Sequence, residues 1–126
     1  MSKQRLYLGK SGEEAAAGFL KSRGYRILTK NYRSRLGEID IIARDKDVLC
    51  FIEVKTRKSE RFGSPGEAIS MRKQGQMAKA ALMFLKENDL LDKKARFDVV
   101  SIIYREDSPK LDLIKNAFDL AERFTY

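Results

Sequence analysis

An acid and a base share one short run of the sequence that otherwise has the composition of a buried strand. The run is FIEVKTR, residues 51–57, and it carries Glu53 and Lys55 with Val54 between them. Side chains two positions apart on a β-strand point to the same face, so this strand would present a carboxylate and an ammonium side by side. A second acid, Asp40, lies in the apolar run before it. These residues are the candidates for chemistry.

Two carboxylates and a lysine favour chemistry at a hard metal ion. Oxygen ligands without histidine or cysteine select Mg²⁺ or Mn²⁺ over zinc. Such an ion can activate a water molecule, and a neighbouring ammonium offsets the charge that develops on a phosphoryl group. The set Asp40, Glu53 and Lys55 therefore suits hydrolysis of a phosphodiester. A salt-bridge network of the same three residues at the end of a sheet is the alternative.

The composition narrows the remaining classes of chemistry. The 126 residues include no histidine and one cysteine, Cys50. Catalysis by Ser-His-Asp or Cys-His groups, an internal disulfide and a cysteine-based zinc site are thereby excluded. Cys50 lies in an apolar run and is expected to be a buried, inert thiol. Lys and Arg number 26 against 18 acids, a net charge of +8, which favours nucleic acid as a partner before an anionic membrane.

No stretch of the sequence predicts a membrane anchor. The ~18 continuous apolar residues of a membrane span are absent, and the first residues, MSKQRLYLGKSGEE, lack the apolar core of a signal peptide. We therefore expect a cytoplasmic protein without membrane partners. The length suits one domain over residues 1–126.

Periodicity and turn residues predict the elements that position the candidate residues. A helix is expected over residues 11–23, with Ser11 as its N-cap and Gly24 as its stop. Two β-rich runs around the polar turn RDKD predict an antiparallel hairpin. The order of elements predicts an α/β domain with a mixed sheet. The other predicted elements are a strand over 25–28, a helix over 67–87, a strand over 95–104, a turn at 106–110, a short strand over 111–114, and a tail, KNAFDLAERF, that is a last helical turn or an arm.

The alternation of side chains tests the predicted hairpin. In one of two compatible registers Asp40 lies directly opposite Glu53, and in the other it lies one diagonal step away. Directly opposed residues have Cβ atoms ~5 Å apart, close enough for two carboxylates to share one ion. A slip by one residue would scatter the polar groups, so the pattern favours this pairing. The predicted apolar face comprises Ile39, Ile41, Ala43, Val48, Cys50, Ile52 and Val54, and the other face places Glu38, Asp40, Glu53 and Lys55 at its open end.

The spacing of Asp40, Glu53 and Lys55 resembles the motif of the PD-(D/E)xK nucleases. Further segments resemble the bacterial YraN-like family of uncharacterised proteins over nearly the whole chain: GKSGEEAAAGFLKSRGYRIL, GEIDIIARD, FIEVKTR with FGSPGEAI, RFDVV and IKNAF. That family is similar to archaeal Holliday junction resolvases, which are dimeric, Mg²⁺-dependent endonucleases that cut four-way DNA junctions. One departure is Ile39, which stands where the motif has proline. Because proline supplies no chemistry, the departure weakens the match and leaves the mechanism intact.

The resemblance implies a restriction-endonuclease-like core, in which helices flank a mixed central sheet, and a homodimer. It implies that Asp40 and Glu53 are metal ligands, with the Val54 carbonyl as a further ligand. Glu13, on the first helix, would complete the metal site directly or through water; the alternative is an acid favoured there by the helix dipole. Lys55 would orient water or stabilise charge.

Basic residues before and after the hairpin are candidates for phosphate contacts. Lys73 and Gln74, in the second predicted helix, lie where related nucleases place an extra polar residue. The alternative for each side chain is an ordinary solvated surface position. As a group they would form a DNA-facing rim. The hairpin candidates are Arg33, Arg35, Arg57, Lys58 and Arg61.

We therefore expect a Mg²⁺- or Mn²⁺-dependent endonuclease that acts on structured or branched DNA. Recognition would depend on shape and backbone charge, because the sequence contains no base-reading module. One alternative is a nucleic-acid-binding module that keeps the fold and does not cut. Another is an adaptor whose tail docks on a partner. RNA in place of DNA, and one or two metal ions, are both compatible with the sequence.

Overall fold

The described part of the chain is built on a five-stranded mixed sheet that lies between two helices. The computed structural model describes residues 3–57, 69–104 and 108–119, with side chains from residue 12 onward. The strands lie side by side in chain order; β3 and β4 are parallel, and the other neighbours are antiparallel. The predicted α/β class with a mixed sheet is confirmed. The elements are α1 (Lys3–Ser22), β1 (Arg26–Ser34), β2 (Gly37–Asp45), β3 (Val48–Arg57), α2 (Met71–Glu87), β4 (Ala95–Tyr104) and β5 (Pro109–Phe118).

Alternate side chains of β2 and β3 fill two separate cores, one on each face of the sheet. On one face, α1 packs through Leu20 against a cluster that includes Ile41 and Ile52. On the other face, α2 packs through Met77 against a cluster that includes Phe51. Because strand residues alternate between faces, each helix covers one set of apolar positions. The predicted alternation along the hairpin is confirmed for these residues.

Ile39 departs from its predicted face. It belongs to the α2-side core together with Ile42, whereas Ile41 and Ala43 belong to the α1-side core. Ile39 pairs with Tyr32 of β1, whereas the pairing of β2 with β3 starts at Ile41, so Ile39 lies outside the hairpin register from which its face was predicted.

The first helix begins earlier than predicted, at Lys3, and Ser11 is an interior residue rather than its N-cap. No proline interrupts residues 3–10, so the helix continues through this segment. Its first turn contains no acidic residue. The dipole at the helix N-terminus therefore does not account for Glu13, which lies well inside the helix.

Both edge strands are longer than predicted. The first was expected over residues 25–28 and extends to Ser34, and the last was expected over 111–114 and extends from Pro109 to Phe118. The alternative of a helical turn is therefore wrong for residues 115–118, and residues 120–126 lie outside the described ranges. Edge strands gain their structure by pairing with β2 and β4, and proline is tolerated at the first residue of a strand.

The second helix ends at Glu87 as predicted but begins at Met71 rather than at residue 67. Ser70 is its N-cap, with φ −63° and ψ 156°, and its Oγ accepts a hydrogen bond from the Lys73 N–H at 3.1 Å. Serine at this position satisfies a donor that the helix leaves unpaired, which favours a start here. Ile69 is buried just before the helix.

The bounds of β4 agree with the predicted range of 95–104.

Two expectations drawn from composition are also tested by the structure. Cys50 is fully buried, so the predicted burial of its thiol is confirmed. Burial, followed by the charge of Asp98, raises the pKa of this thiol to about 12, which is the direction expected of an inert cysteine. Neither of the helices described is long and apolar enough to cross a membrane.

Candidate active site

The hairpin brings Asp40 and Glu53 together. The ladder of β2 with β3 begins at the pair of Ile41 and Ile52. Of the two predicted registers, it is the one that, continued by one residue, sets Asp40 opposite Glu53. The Oδ2 atom of Asp40 accepts a hydrogen bond from the Val54 N–H at 2.8 Å. This bond holds the Asp40 carboxylate against β3, beside Glu53.

Glu53 lies in surroundings that are unfavourable for a lone carboxylate. Its side chain is 13% exposed, and among the residues described its Oε2 atom is buried without a hydrogen-bond partner. Burial first, and then the charge of Asp40, raise the pKa of Glu53 to about 8, although Lys73 acts in the opposite direction. The carboxylate pair therefore attracts positive charge to this point.

The ammonium of Lys73 supplies part of that positive charge. Its Nζ atom lies 3.5 Å from Oε2 of Glu53, a distance that makes the contact an ion pair rather than a good hydrogen bond. Lys73 belongs to the first turn of α2, just after Ser70. The neighbouring Gln74 donates from Nε2 to the carbonyl oxygen of Ile69 at 3.0 Å, which supports the chain as it enters the helix. Lys73, one of the two predicted polar residues, thus reaches Glu53.

A cleft of about 290 Å³ opens beside these groups. Glu53 and Lys55 from β3 form one side, and Ile69, Ser70 and Lys73 form the other. The predicted placement of Glu53 and Lys55 on one face of the strand is confirmed, because both line the same cleft. The cleft therefore offers a carboxylate and two ammonium groups to anything that enters it.

The carboxylate pair fits a hard divalent cation. Mg²⁺ usually keeps several waters and is held by one or two carboxylates rather than by a full cage of protein ligands. Asp40 and Glu53 supply two carboxylates, and the buried Oε2 of Glu53 is an atom that such an ion would satisfy. Within the described ranges, no group of three or more Asp, Glu, His or Cys side chains could hold a metal ion. The donors offered here are thus the pair itself and the nearby Val54 carbonyl.

Glu13 is not brought into a group of three with Asp40 and Glu53. Its helix, α1, packs on the face of the sheet opposite to the cleft. The adjacent Gly12 lies close to Thr56, since a Cβ atom there would be 3.1 Å from its Oγ1. This turn of α1 therefore reaches the end of β3 that carries the cleft, and the role of Glu13 as a ligand stays a prediction.

Some of the basic residues predicted to form a rim lie at the cleft end of the sheet. Arg33 is exposed, with Nε 3.5 Å from Oε1 of Glu38, and Arg35 is exposed in the turn between β1 and β2. Arg57 is the last residue of β3, two positions beyond Lys55. The start of β2 and the end of β3 meet at this edge, because the two strands are antiparallel. Outside the described residues lie Lys58 and Arg61.

Ser101 is a polar neighbour of the site that sequence reasoning missed. It pairs with Lys55 across the parallel ladder of β3 and β4 and is fully buried. Its Oγ atom has no hydrogen-bond partner among the described residues. The sequence does indicate this residue, because Ser101 is a polar residue that interrupts the apolar run VVSII of β4. A rotatable hydroxyl therefore lies beside the lysine of the cleft.

A second cluster of charges, also missed, lies on the opposite face of the sheet. Asp98 is fully buried and accepts hydrogen bonds from Arg96 Nε, at 3.0 and 3.1 Å, and from the Asn116 N–H at 2.9 Å. Arg96 Nη2 also donates to Tyr25 Oη at 2.6 Å and to Asp45 Oδ2 at 2.9 Å, and its guanidinium holds the pKa of Asp45 below the usual range. Because these groups satisfy one another, the cluster stabilises the fold. An aspartate within the apolar stretch of β4 was the available signal.

Comparisons with known proteins place relatives of this chain in several bacteria. A profile of the uncharacterised protein family UPF0102 matches residues 12–102. A UPF0102 protein of Syntrophus aciditrophicus (strain SB) is 48% identical over 118 residues, which covers 94% of this chain and 93% of the relative. A UPF0102 protein of Desulfosudis oleivorans is 49% identical over 119 residues, covering 94% and 95%. One of Geobacter metallireducens is 46% identical over 121 residues, covering 96% and 99%. The names of these relatives state no activity.

Proposed function

We propose that this chain, which belongs to the uncharacterised protein family UPF0102, is a metal-dependent endonuclease that hydrolyses phosphodiester bonds in structured or branched DNA. The observation that carries the proposal is that Asp40 lies beside Glu53, and that Glu53 and Lys55 line one cleft. A buried carboxylate whose oxygen has no hydrogen bond among the described residues destabilises a fold, so its presence in a cleft is best explained by function. The restriction-endonuclease-like core implied by the motif is part of the same proposal.

Asp40 and Glu53 would hold Mg²⁺ or Mn²⁺, with the Val54 carbonyl and the predicted ligand Glu13 as further donors. Such an ion supplies Lewis-acid polarisation of a phosphodiester oxygen and makes a water more acidic. The hydrogen bond from the Val54 N–H to Asp40 fixes one carboxylate in place before anything binds. Preorganised ligands of this kind reduce the reorganisation that the reaction requires.

Lys55 supplies the positive charge that the chemistry needs on the cleft side of Glu53. Its ammonium would orient the attacking water or offset the negative charge that develops on the phosphoryl group. Ser101, its neighbour in the ladder, adds a buried hydroxyl that has no hydrogen-bond partner among the described residues.

The charge of the chain favours a nucleic acid as the substrate. A net charge of +8 attracts phosphate backbones without regard to sequence. Arg33, Arg35 and Arg57 lie at the cleft end of the sheet, where they would contact phosphates on either side of the cleaved bond. Branched DNA and a homodimer with two cleavage sites follow from the similarity to junction resolvases, and they are included in the proposal.

The second candidate function is a nucleic-acid-binding module that does not cut. The observation that favours it is the ion pair between Lys73 and Glu53, because a carboxylate neutralised within the protein has less need of a metal. In that case the basic rim would bind DNA and the cleft would be a structural ion-pair site.

Cleavage of a panel of labelled DNAs separates the two candidates. The panel is a four-way junction, a linear duplex and a single strand, each incubated with Mg²⁺, Mn²⁺ or EDTA. The proposal predicts cutting that requires the metal and is fastest on the junction. Tight binding to the junction without cutting in either metal would favour the binding module.

A further inference from the structure

Two lysines reach the cleft, and they differ in how the fold holds them. Lys55 projects from the central strand β3, two positions from Glu53. Lys73 projects from the first turn of α2, and its side chain is 37% exposed. A long side chain at a helix start can change rotamer without moving the backbone, because the Ser70 cap is made by the Lys73 N–H and not by its ammonium.

Lys73 is the lysine that forms an ion pair with Glu53. Its Nζ atom is 3.5 Å from the buried Oε2 of Glu53, the oxygen that has no hydrogen-bond partner in the described part of the chain. At 3.5 Å the contact lacks a good hydrogen bond. Lys73 therefore supplies positive charge to the carboxylate pair without being locked in place.

A divalent cation and the Lys73 ammonium compete for the same carboxylate oxygen. A cation bound between Asp40 and Glu53 would place two positive charges within a few ångströms of Lys73, and like charges repel strongly in a partly buried site. The ammonium would then leave Glu53. Lys55 lines the same cleft, and the phosphate of a nucleic acid bound there would attract the Lys73 ammonium.

We propose that Lys73 is a built-in counter-ion that pairs with Glu53 until a divalent cation binds, and that it then turns to a phosphate of the substrate. A bound cation displaces Lys73 from Glu53 toward the DNA phosphate, and a bound phosphate draws Lys73 away from the cation site. Cation binding and DNA binding therefore strengthen each other. Coupling between two ligands is reciprocal, so it can be measured from either side. This inference rests on the cation site of the proposed function.

The first test measures Mn²⁺ binding to the full chain without DNA, by isothermal titration calorimetry on protein freed of divalent ions. Lys73→Met keeps the length of the side chain and removes its charge. We expect the variant to bind Mn²⁺ at least about 5-fold more tightly than the unaltered protein. Lys79→Met is the matched control, because Lys79 is an exposed lysine on the same helix, and it should leave the affinity unchanged. Glu53→Gln should abolish the binding and thereby assign it to this site.

The second test measures the affinity for a four-way junction with Ca²⁺ and with EDTA at equal ionic strength. The unaltered protein and Lys79→Met should bind the junction at least about 5-fold more tightly with Ca²⁺. Lys73→Met should lose most of that gain, which a residue with only a structural role would not affect.

The outcomes separate this inference from the proposed function. Equal or weaker Mn²⁺ binding by Lys73→Met, with binding that still depends on Glu53, would overturn the counter-ion role and leave the endonuclease proposal standing. Absence of Mn²⁺ binding in the unaltered protein and in Lys73→Met alike would overturn both. Thermal unfolding of each variant, compared with that of Lys79→Met, identifies any that fails to fold, and a second substitution, Lys73→Gln, then takes its place.

Discussion

At the scale of single residues, Glu53 combines features that protein interiors normally avoid together. It is nearly enclosed, it has the carboxylate of Asp40 beside it, and one of its oxygens is buried without a hydrogen bond among the residues described. Each feature disfavours the charged carboxylate, which the nearby Lys73 only partly compensates. We therefore expect Glu53 to reduce the stability of the metal-free protein at the pH where it is ionised.

Substitution of Glu53 by glutamine should make the stability of the metal-free protein less dependent on pH. The folded-state pKa of about 8 lies above the ordinary value of 4.5, so the contribution of this group is fully present below pH 4.5 and is lost as the pH rises toward about 8. In EDTA at pH 8.5, Glu53→Gln should raise the free energy of unfolding by about 1 to 3 kcal/mol. The difference should shrink toward pH 5.

Urea unfolding at several pH values measures this difference. Glu38→Gln is the control, because the Glu38 side chain is 60% exposed and should show no comparable gain. A Glu53→Gln protein that is less stable than the original at every pH would contradict the account of the carboxylate pair.

The spacing of residues along the chain was sufficient to predict which chemical groups β2 and β3 bring together, but not their partners on α2. Asp40, Glu53 and Lys55 could be assigned to one corner because a strand repeats every two residues and the hairpin turn limits the register. Lys73 was predicted as a DNA contact, whereas its ion pair with Glu53 depends on where α2 lies in space. A contact between segments twenty residues apart is not encoded in a local pattern.

At the scale of elements, the position of α2 over the cleft depends on close packing at Gly37. A Cβ atom on Gly37, the first residue of β2, would lie 2.7 Å from the carbonyl oxygen of Gln76 in α2. Backbone atoms cannot yield as side chains can. Gly37 therefore permits the approach that brings the first turn of α2, with Lys73, to Glu53.

Gly37→Ala should lower the free energy of unfolding by about 1 to 3 kcal/mol, because the added methyl group pushes α2 away from the sheet. Gly18→Ala is the matched control, since nothing lies within 4 Å of a Cβ atom there. Alanine in the helix interior should instead stabilise the protein by about 0.5 to 1 kcal/mol. Thermal and urea unfolding measure both, and equal effects of the two substitutions would contradict the packing described.

The elements that could be predicted are those with a strong periodic pattern. The bounds of β4 and the end of α2 agree with prediction because a dense apolar run and a helical face mark them in the sequence. The edge strands β1 and β5 have weaker patterns and take their length from pairing with their neighbours. Asn116, with φ 53°, lies where the register of β5 shifts and bonds to Asp98, a tertiary contact that no local pattern encodes.

At the scale of the whole molecule, the two faces of the sheet differ in how completely their buried charges are paired. The α2 face carries the cleft, with charges that are incompletely satisfied. The α1 face carries the cluster around Asp98, in which Arg96, Asp45 and Tyr25 join β2, β4 and the chain before β1. A fully paired cluster on one face can offset the instability that the carboxylate pair introduces on the other.

Asp98→Ala should lower the free energy of unfolding by about 3 to 5 kcal/mol, because it leaves the largely buried Arg96 without its main partner. Glu38→Ala breaks the exposed pair between Glu38 and Arg33 and should cost about 1 kcal/mol or less. Urea unfolding compares the two. Similar midpoints for both variants would show that the cluster does not hold the fold in the way described.

The most direct measurement of the central claim is the single-turnover rate of four-way junction cleavage in Mg²⁺ by the unaltered protein, Glu53→Gln and Lys55→Met, with Lys79→Met as the control. The account predicts metal-dependent cleavage by the unaltered protein and the control, and rates reduced by about 100-fold or more in the other two variants. Cleavage by Glu53→Gln and Lys55→Met at the rate of the unaltered protein, or no cleavage by a protein that binds the junction and Mg²⁺, would contradict it.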